Sequence, residues 1–403
     1  MEAYNIFIEH LKEDPYFFLL EFFVILLAVK IAGHLSKKLG QPAVFGELLV
    51  GIILGPALLG WIEIQIGEHS TLSSLAEVGV ILLMFLAGLE TDVDEFRKTA
   101  LGSSLTAVGG VVLPLVGGYA AGIMFGFDPM TSIFIGTLLV ATSVSISVQT
   151  LRELGELQSK EGVTILGAAV LDDVLGLITL SVVLGFASSS GSGFSVLALI
   201  WLLVRILLFF VITIVFGRYV LPRIFDYVSG LMTQEVILTF GIMTALGFAF
   251  FAEQMGLAGI IGAYFAGLML SMTKYQHELF HKIETISFSF FVPIFFVSIG
   301  VMANLAGLNQ DILILIAVLT VIAIITKWLG GIIGAKLAGF SWRSSSGIGA
   351  GMIARGEVGL IVASIGLNKH LIDEGLFTAM VIIVLVTTLV TPPALKMSFS
   401  KRS

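Results

Sequence analysis

Long apolar runs constrain this chain more than any other feature. Thirteen stretches are expected as membrane-spanning helices: 16–34, 43–60, 72–90, 99–126, 130–150, 161–188, 194–220, 233–252, 256–272, 285–303, 311–338, 344–367 and 373–396. A bilayer core of about 30 Å asks for roughly 20 apolar residues per helix, and helices satisfy their own backbone in lipid. Charged residues make up only 12% of the chain, against about 25% in soluble domains. The expected fold is therefore all-α and polytopic, a single membrane-embedded unit over 1–403 in contact with lipid and not with nucleic acid. Met1 to Asp14 is polar and acidic and is not expected to be a cleavable signal. No soluble regulatory domain is expected, since the last apolar run ends close to Ser403. The chain has no cysteine, which excludes disulfides and thiol chemistry.

Lysine and arginine set the expected orientation. With the N-terminus outside and the C-terminus in the cytoplasm, the inner connections carry Lys37 and Lys38, Arg97 and Lys98, Arg152 and Lys160, Arg218 and Arg223, Lys274 and Lys282, Lys336 and Arg343, and finally Lys396, Lys401 and Arg402. Only Lys12 and Lys369 fall outside. An even number of spans would break this alternation. The inner loop from Leu151 to Glu161 is expected to be a solvated connection.

Two pairs of segments suggest an internal inverted repeat, spans 2–6 with spans 9–13. Gly46 to Leu54 and Gly262 to Leu270 share the spacing Gly-x4-Gly-x2-Leu. That pairing makes span 5 the counterpart of span 12, and these two have the poorest helical interiors. One holds Ala141-Thr-Ser-Val-Ser, the other Gly347-Ile-Gly-Ala-Gly-Met-Ile-Ala-Arg-Gly-Glu357. Such stretches suit helices that break near the midplane, where freed carbonyls meet cations.

The chemistry is expected at Asp172 and Asp173, adjacent carboxylates near the middle of the apolar run Gly162 to Ala187. A charge there costs at least ~2.5 kcal/mol. Neighbouring helical residues point about 100° apart, so one acid can meet a fixed counter-charge while the other faces a water-filled path. Lys327 is the available counter-charge. An ionised aspartate, the hydroxyls of Thr142 and Ser143 and freed carbonyls would offer a bare alkali cation hard oxygen ligands. A proton on the same aspartate removes the charge that holds the cation. Alternate binding of cation and proton follows, with no enzyme chemistry and no cofactor. Arg355 and Glu357 are expected to be structural or gating groups, and Glu77, like Glu47, to serve packing or gating. Arg205 is expected to snorkel or lie at a subunit interface, and His277 and His281 to be solvated.

On these residues, and on Gly46-Glu-Leu-Leu-Val-Gly-Ile-Ile-Leu-Gly-Pro56, Leu75 to Glu90, Phe291-Val-Pro-Ile-Phe-Phe296 and Gly351-Met-Ile-Ala-Arg-Gly-Glu357, the chain resembles the cation/proton antiporter superfamily. The resemblance is to the branch of NapA-type sodium/proton antiporters and Kef transporters and covers nearly the whole chain. It implies an NhaA/NapA-like fold with two crossed broken helices, in a homodimer of the cell membrane. A core of approximately 72–188 with 285–396 would move like an elevator against a dimerisation part of approximately 16–60 with 194–272. It also implies that Asp173 carries the monovalent cation and proton, with Asp172 paired to Lys327. An acid rather than an amide before Asp173 favours electrogenic exchange of sodium, lithium or potassium for protons. A Kef-like potassium/proton antiporter and a cation channel are the alternatives.

Overall fold

The computed structural model describes residues 16–62, 70–187, 196–302 and 310–399, and among these residues every element is helical. In chain order they are α1 (Phe17–Lys38), α2 (Ala43–Leu54), α3 (Thr71–Glu90), α4 (Val93–Met124), α5 (Pro129–Val140), α6 (Val144–Glu153), α7 (Lys160–Ala187), α8 (Val196–Tyr219) and α9 (Leu221–Val228). There follow α10 (Val236–Gln254), α11 (Gly259–Leu270), α12 (Gln276–Ile286), a π-turn (Ser287–Phe291), α13 (Val292–Val301), α14 (Gln310–Leu337), α15 (Trp342–Gly351), α16 (Glu357–Asn368) and α17 (Glu374–Phe399). Among the described residues ten helical stretches, rather than the expected thirteen, are long and apolar enough to cross a membrane. Three shorter apolar helices, Ala43–Leu54, Gly259–Leu270 and Val358–Asn368, account for the difference. The causes are local. Gly55, followed by Pro56, ends α2, Gly256 takes a left-handed turn ahead of α11 (φ +84°), and the glycine-rich twelfth span breaks in two.

The helices pack in two groups. A site half contains α4 to α7 and α14 to α17, and a support half contains α1 to α3 and α10 to α13, with α8 and α9 against α10 and α11. The expected assignment of 72–90 and 285–303 to the core does not follow this packing, because α3 and α13 belong to the support half. Their glycines explain it. A β-carbon at Gly88 of α3 would run into the Tyr264 carbonyl of α11, and one at Gly51 of α2 into the Val297 carbonyl of α13. Backbones this close are the small-residue packing typical of membrane helices. The matching glycine motifs thus make equivalent contacts, Gly46 against α1 and Gly262 against α10.

Thr91 and Asp92 alone connect α3 of the support half to α4 of the site half. Support-half side chains hold this link. Tyr264 donates to the Thr91 hydroxyl at 3.3 Å and Ser271 to the Thr91 carbonyl at 3.3 Å. Asp92 caps α4, accepting from the amide of Asp94 at 2.7 Å. The link lies at the basic end of the bundle, where Arg97 and Arg218 line a polar crevice with Gln276 and Lys160 sits 4.6 Å over the Phe340 ring.

Candidate ion-binding site

Two interruptions face each other inside the site half. Between α5 and α6 the chain is extended at Ala141, Thr142 and Ser143, and between α15 and α16 it leaves helix from Met352 to Gly356. Hydroxyl side chains compete for the backbone in the first, and glycine lowers helix propensity in the second. The Ser143 amide donates to the Ala354 carbonyl at 2.8 Å, and Ser147 donates to the Gly351 carbonyl. Two helix starts and two helix ends therefore meet within the protein, bringing unsatisfied N–H and C=O groups and their partial charges together.

Buried cations answer the carbonyl ends. Arg355, 0% exposed, donates to the carbonyls of Leu139 at 2.7 Å, Ala323 at 3.1 Å and Ile353 at 3.2 Å. Its own carbonyl accepts from Thr388. Lys327, equally buried, donates to the carbonyls of Gly110 and Val140, each at 2.7 Å, and to Asp172 at 2.8 and 2.9 Å. Thr142 completes the set, donating to Asp172 Oδ2 at 2.7 Å. The last two carbonyls of α5 are thus taken by one cation each.

Asp173 lies beside this cluster, close enough for Lys327 to feel its charge. With Asp172, Thr137, Ala141, Gly176 and Val358 it lines a pocket of about 20 Å³, room for roughly one water. The Thr142 hydroxyl is engaged with Asp172, and the Ser143 hydroxyl lies 3.0 Å from that of Ser145, so neither lines the pocket in this arrangement. Glu77 sits exposed on α3 in the support half, with Glu253 as its electrostatic neighbour. The Glu357 side chain falls outside the described residues. Arg205 is exposed on α8, 5.6 Å over Trp201. His281 meets His277 edge to face at 4.6 Å between ring centroids and has Nδ1 3.7 Å from Glu284.

Several working residues escape a reading of charges alone. The start of the segment expected to be a solvated loop is instead the end of α6, and it binds the support half. Arg152 pairs with Glu284 at 2.6 Å and Glu90 at 3.7 Å, its guanidinium over the rings of Phe280 and Phe288. Glu153 accepts from the amides of Ala43 at 2.6 Å and Val44 at 3.3 Å, capping α2. The sequence signal is that Arg152 and Glu153 follow the helical stretch with no turn residue between. The carbonyls that seat Lys327 are also invisible as residue types, although Pro114 marks one of them.

An all-helical, multi-pass membrane protein with a buried charged crossing is the class this architecture defines. Residues 23–401 match the transmembrane sodium/hydrogen exchanger family, and the chain belongs to that family, one of transporters rather than enzymes. It is 46% identical over 385 residues to the Na(+)/H(+)-K(+) antiporter GerN of Bacillus cereus, covering 96% of this chain and 97% of the relative. Against the Na(+)/H(+) antiporter of Enterococcus hirae identity is 40%, covering 93% and 96%. The solved structure of the sodium proton antiporter MjNhaP1 from Methanocaldococcus jannaschii superposes with a TM-score of 0.62 over 95% of this chain and 96% of that one. At 16% identity that likeness speaks for the fold alone.

Proposed function

We propose that the protein is a secondary antiporter exchanging a monovalent cation for protons, with Asp173 as the shared carrier. The observation that carries this is the inequality of the two carboxylates: both line the pocket, but it is Asp172 that takes the Lys327 ammonium and the Thr142 hydroxyl. In its ionised form Asp173 offers a cation a hard oxygen ligand, supplemented by Thr142, Ser143 or freed carbonyls after small adjustments at the breaks. Protonation cancels the charge and releases the ion. No cofactor enters this cycle. Asp172 and Lys327 supply a second protonatable pair, which supports electrogenic exchange of more than one proton per cation.

In the same proposal the thirteen helical passes, counting the two broken ones once each, form an inverted repeat of the NhaA/NapA type. The equivalent glycine contacts of α2 and α11 support that reading. The site half moves as an elevator against the support half, which also pairs two copies into a homodimer. The basic end faces the cytoplasm of the cell membrane, with the N-terminus outside. Sodium is the first candidate ion, and the relative named as a Na(+)/H(+)-K(+) antiporter favours testing potassium beside it.

The test is reconstitution in proteoliposomes with proton flux followed as sodium, lithium or potassium is added. Asp173→Asn is expected to abolish cation-driven proton movement. Exchange that persists in that variant overturns the carrier assignment, and cation flux without obligatory proton counterflow marks a channel instead.

A further inference from the structure

Proline 114 stands inside α4, a helix of 32 residues. Lacking an N–H, it leaves the carbonyl four residues earlier, that of Gly110, without its intrahelical donor. An orphaned carbonyl in a membrane interior, with no water to bond it, is strongly unfavourable. Here it accepts from the Lys327 ammonium at 2.7 Å. The geometry around it is tight. A β-carbon at Gly110 would lie 3.4 Å from both Asp172 Oδ1 and Lys327 Nζ, and Gly109 packs directly against the backbone of Gly330, three residues beyond Lys327. The glycines bring α14 close enough to α4 for the ammonium to reach the freed carbonyl.

An ammonium has three N–H groups. Two acceptors of Lys327 are neutral carbonyls, Gly110 of α4 and Val140 of α5, and the third is Asp172. Carbonyls do not titrate. When Asp172 gains a proton or turns to an ion, the lysine keeps two of its three ligands, both carried by the site half. We propose that Pro114 is a positioning residue for Lys327: by freeing the Gly110 carbonyl it gives the lysine a seat that does not depend on the charge of Asp172. The pair can then open and reclose without the lysine leaving. The transport consequence rests on the antiport reading above, whereas the seat itself does not.

Pro114→Ala returns an N–H to the Gly110 carbonyl. Thermal unfolding of the purified protein tests the coupling without any transport assay. Pro114→Ala is expected to shift the midpoint in the parent by an amount clearly different from its shift in the Lys327→Gln background, because the two changes share one interaction. Equal shifts overturn the seat. A second variant separates carbonyl from kink: exchanging the neighbours, Pro114→Leu with Leu115→Pro, keeps a proline bend but frees Val111 instead. Both variants are expected to slow cation/proton exchange at least about fivefold, the low end of a typical coupling, and to displace its pH profile. An exchanged variant that matches the parent in rate and profile overturns the proposal, since the bend alone would then suffice. Absence of exchange in the parent sinks the antiport reading, and the thermal cycle still decides the seat.

Discussion

A threonine hydroxyl distinguishes two adjacent acids. Thr142 and Lys327 both address Asp172, and Asp173, the next residue of α7, shares the adjoining pocket with it. Thr142→Val keeps the volume and removes one donor from a buried carboxylate, a hydrogen bond to a charged group worth about 1.5 to 3 kcal/mol. A lower unfolding midpoint and slower exchange are expected, and an unchanged midpoint would deny the contact. Arg355→Met should cost more stability, because the carbonyls of Leu139, Ala323 and Ile353 lose a buried donor. Thermal unfolding in detergent is expected to rank it below Asp173→Asn, which removes the proposed carrier and leaves these carbonyls paired. Charge in an apolar run made Asp172, Asp173, Lys327 and Arg355 legible from sequence. The partners of Arg355 and the seat of Lys327 were not, because a carbonyl bears no residue signature and becomes available only where a helix stops or a proline intervenes.

Helix breaks were legible for the same chemical reason that they form: Thr142 and Ser143 in one span and the glycines around Met352 in the other are poor helix interiors. The short lengths of α2 and α11 were less so, since hydropathy runs straight through Gly55 and Gly256. The reach of α6 was misjudged because charge was equated with solvent. Arg152 is only 13% exposed in its ion pair, and a cation between aromatic rings is at home in such a place. Arg152 and Glu153 fasten the end of a broken helix to α2, α3 and α12, closing the seam between the halves at the basic end. Val148, one turn earlier and so on the same helix face, is buried. In a chain without native cysteine, Val148→Cys reports opening of the seam. Adding Arg152→Gln is expected to raise its maleimide labelling rate at least about fivefold, while Ala379→Cys, buried in α17, stays unlabelled. Equal rates with and without Arg152 would show that the pair fastens nothing.

At the scale of the whole molecule, sequence pattern identified a polytopic helical bundle, yet apolar runs alone do not say which helices pack together. Apolar periodicity says that α3 and α13 are buried without saying against which neighbour. Backbone approaches at Gly88 and Gly51 decide it, and these depend on pairs of glycines brought together only in the folded chain. Gly267→Leu, facing Gly88 across the α3–α11 contact, is therefore expected to destabilise the support half by roughly 3 kcal/mol or more through overpacking, read as a lowered unfolding midpoint. The joint at Thr91 and Asp92 has a mechanical consequence. Drawn fully straight, so few residues allow roughly 10 Å between the helix ends they join, and Tyr264 and Ser271 already grip one of the two. In the proposed movement such a tether acts as a pivot: the elevator stroke then bends into an arc centred near the basic end, with the remote ends of α5 and α16 sweeping the longest path.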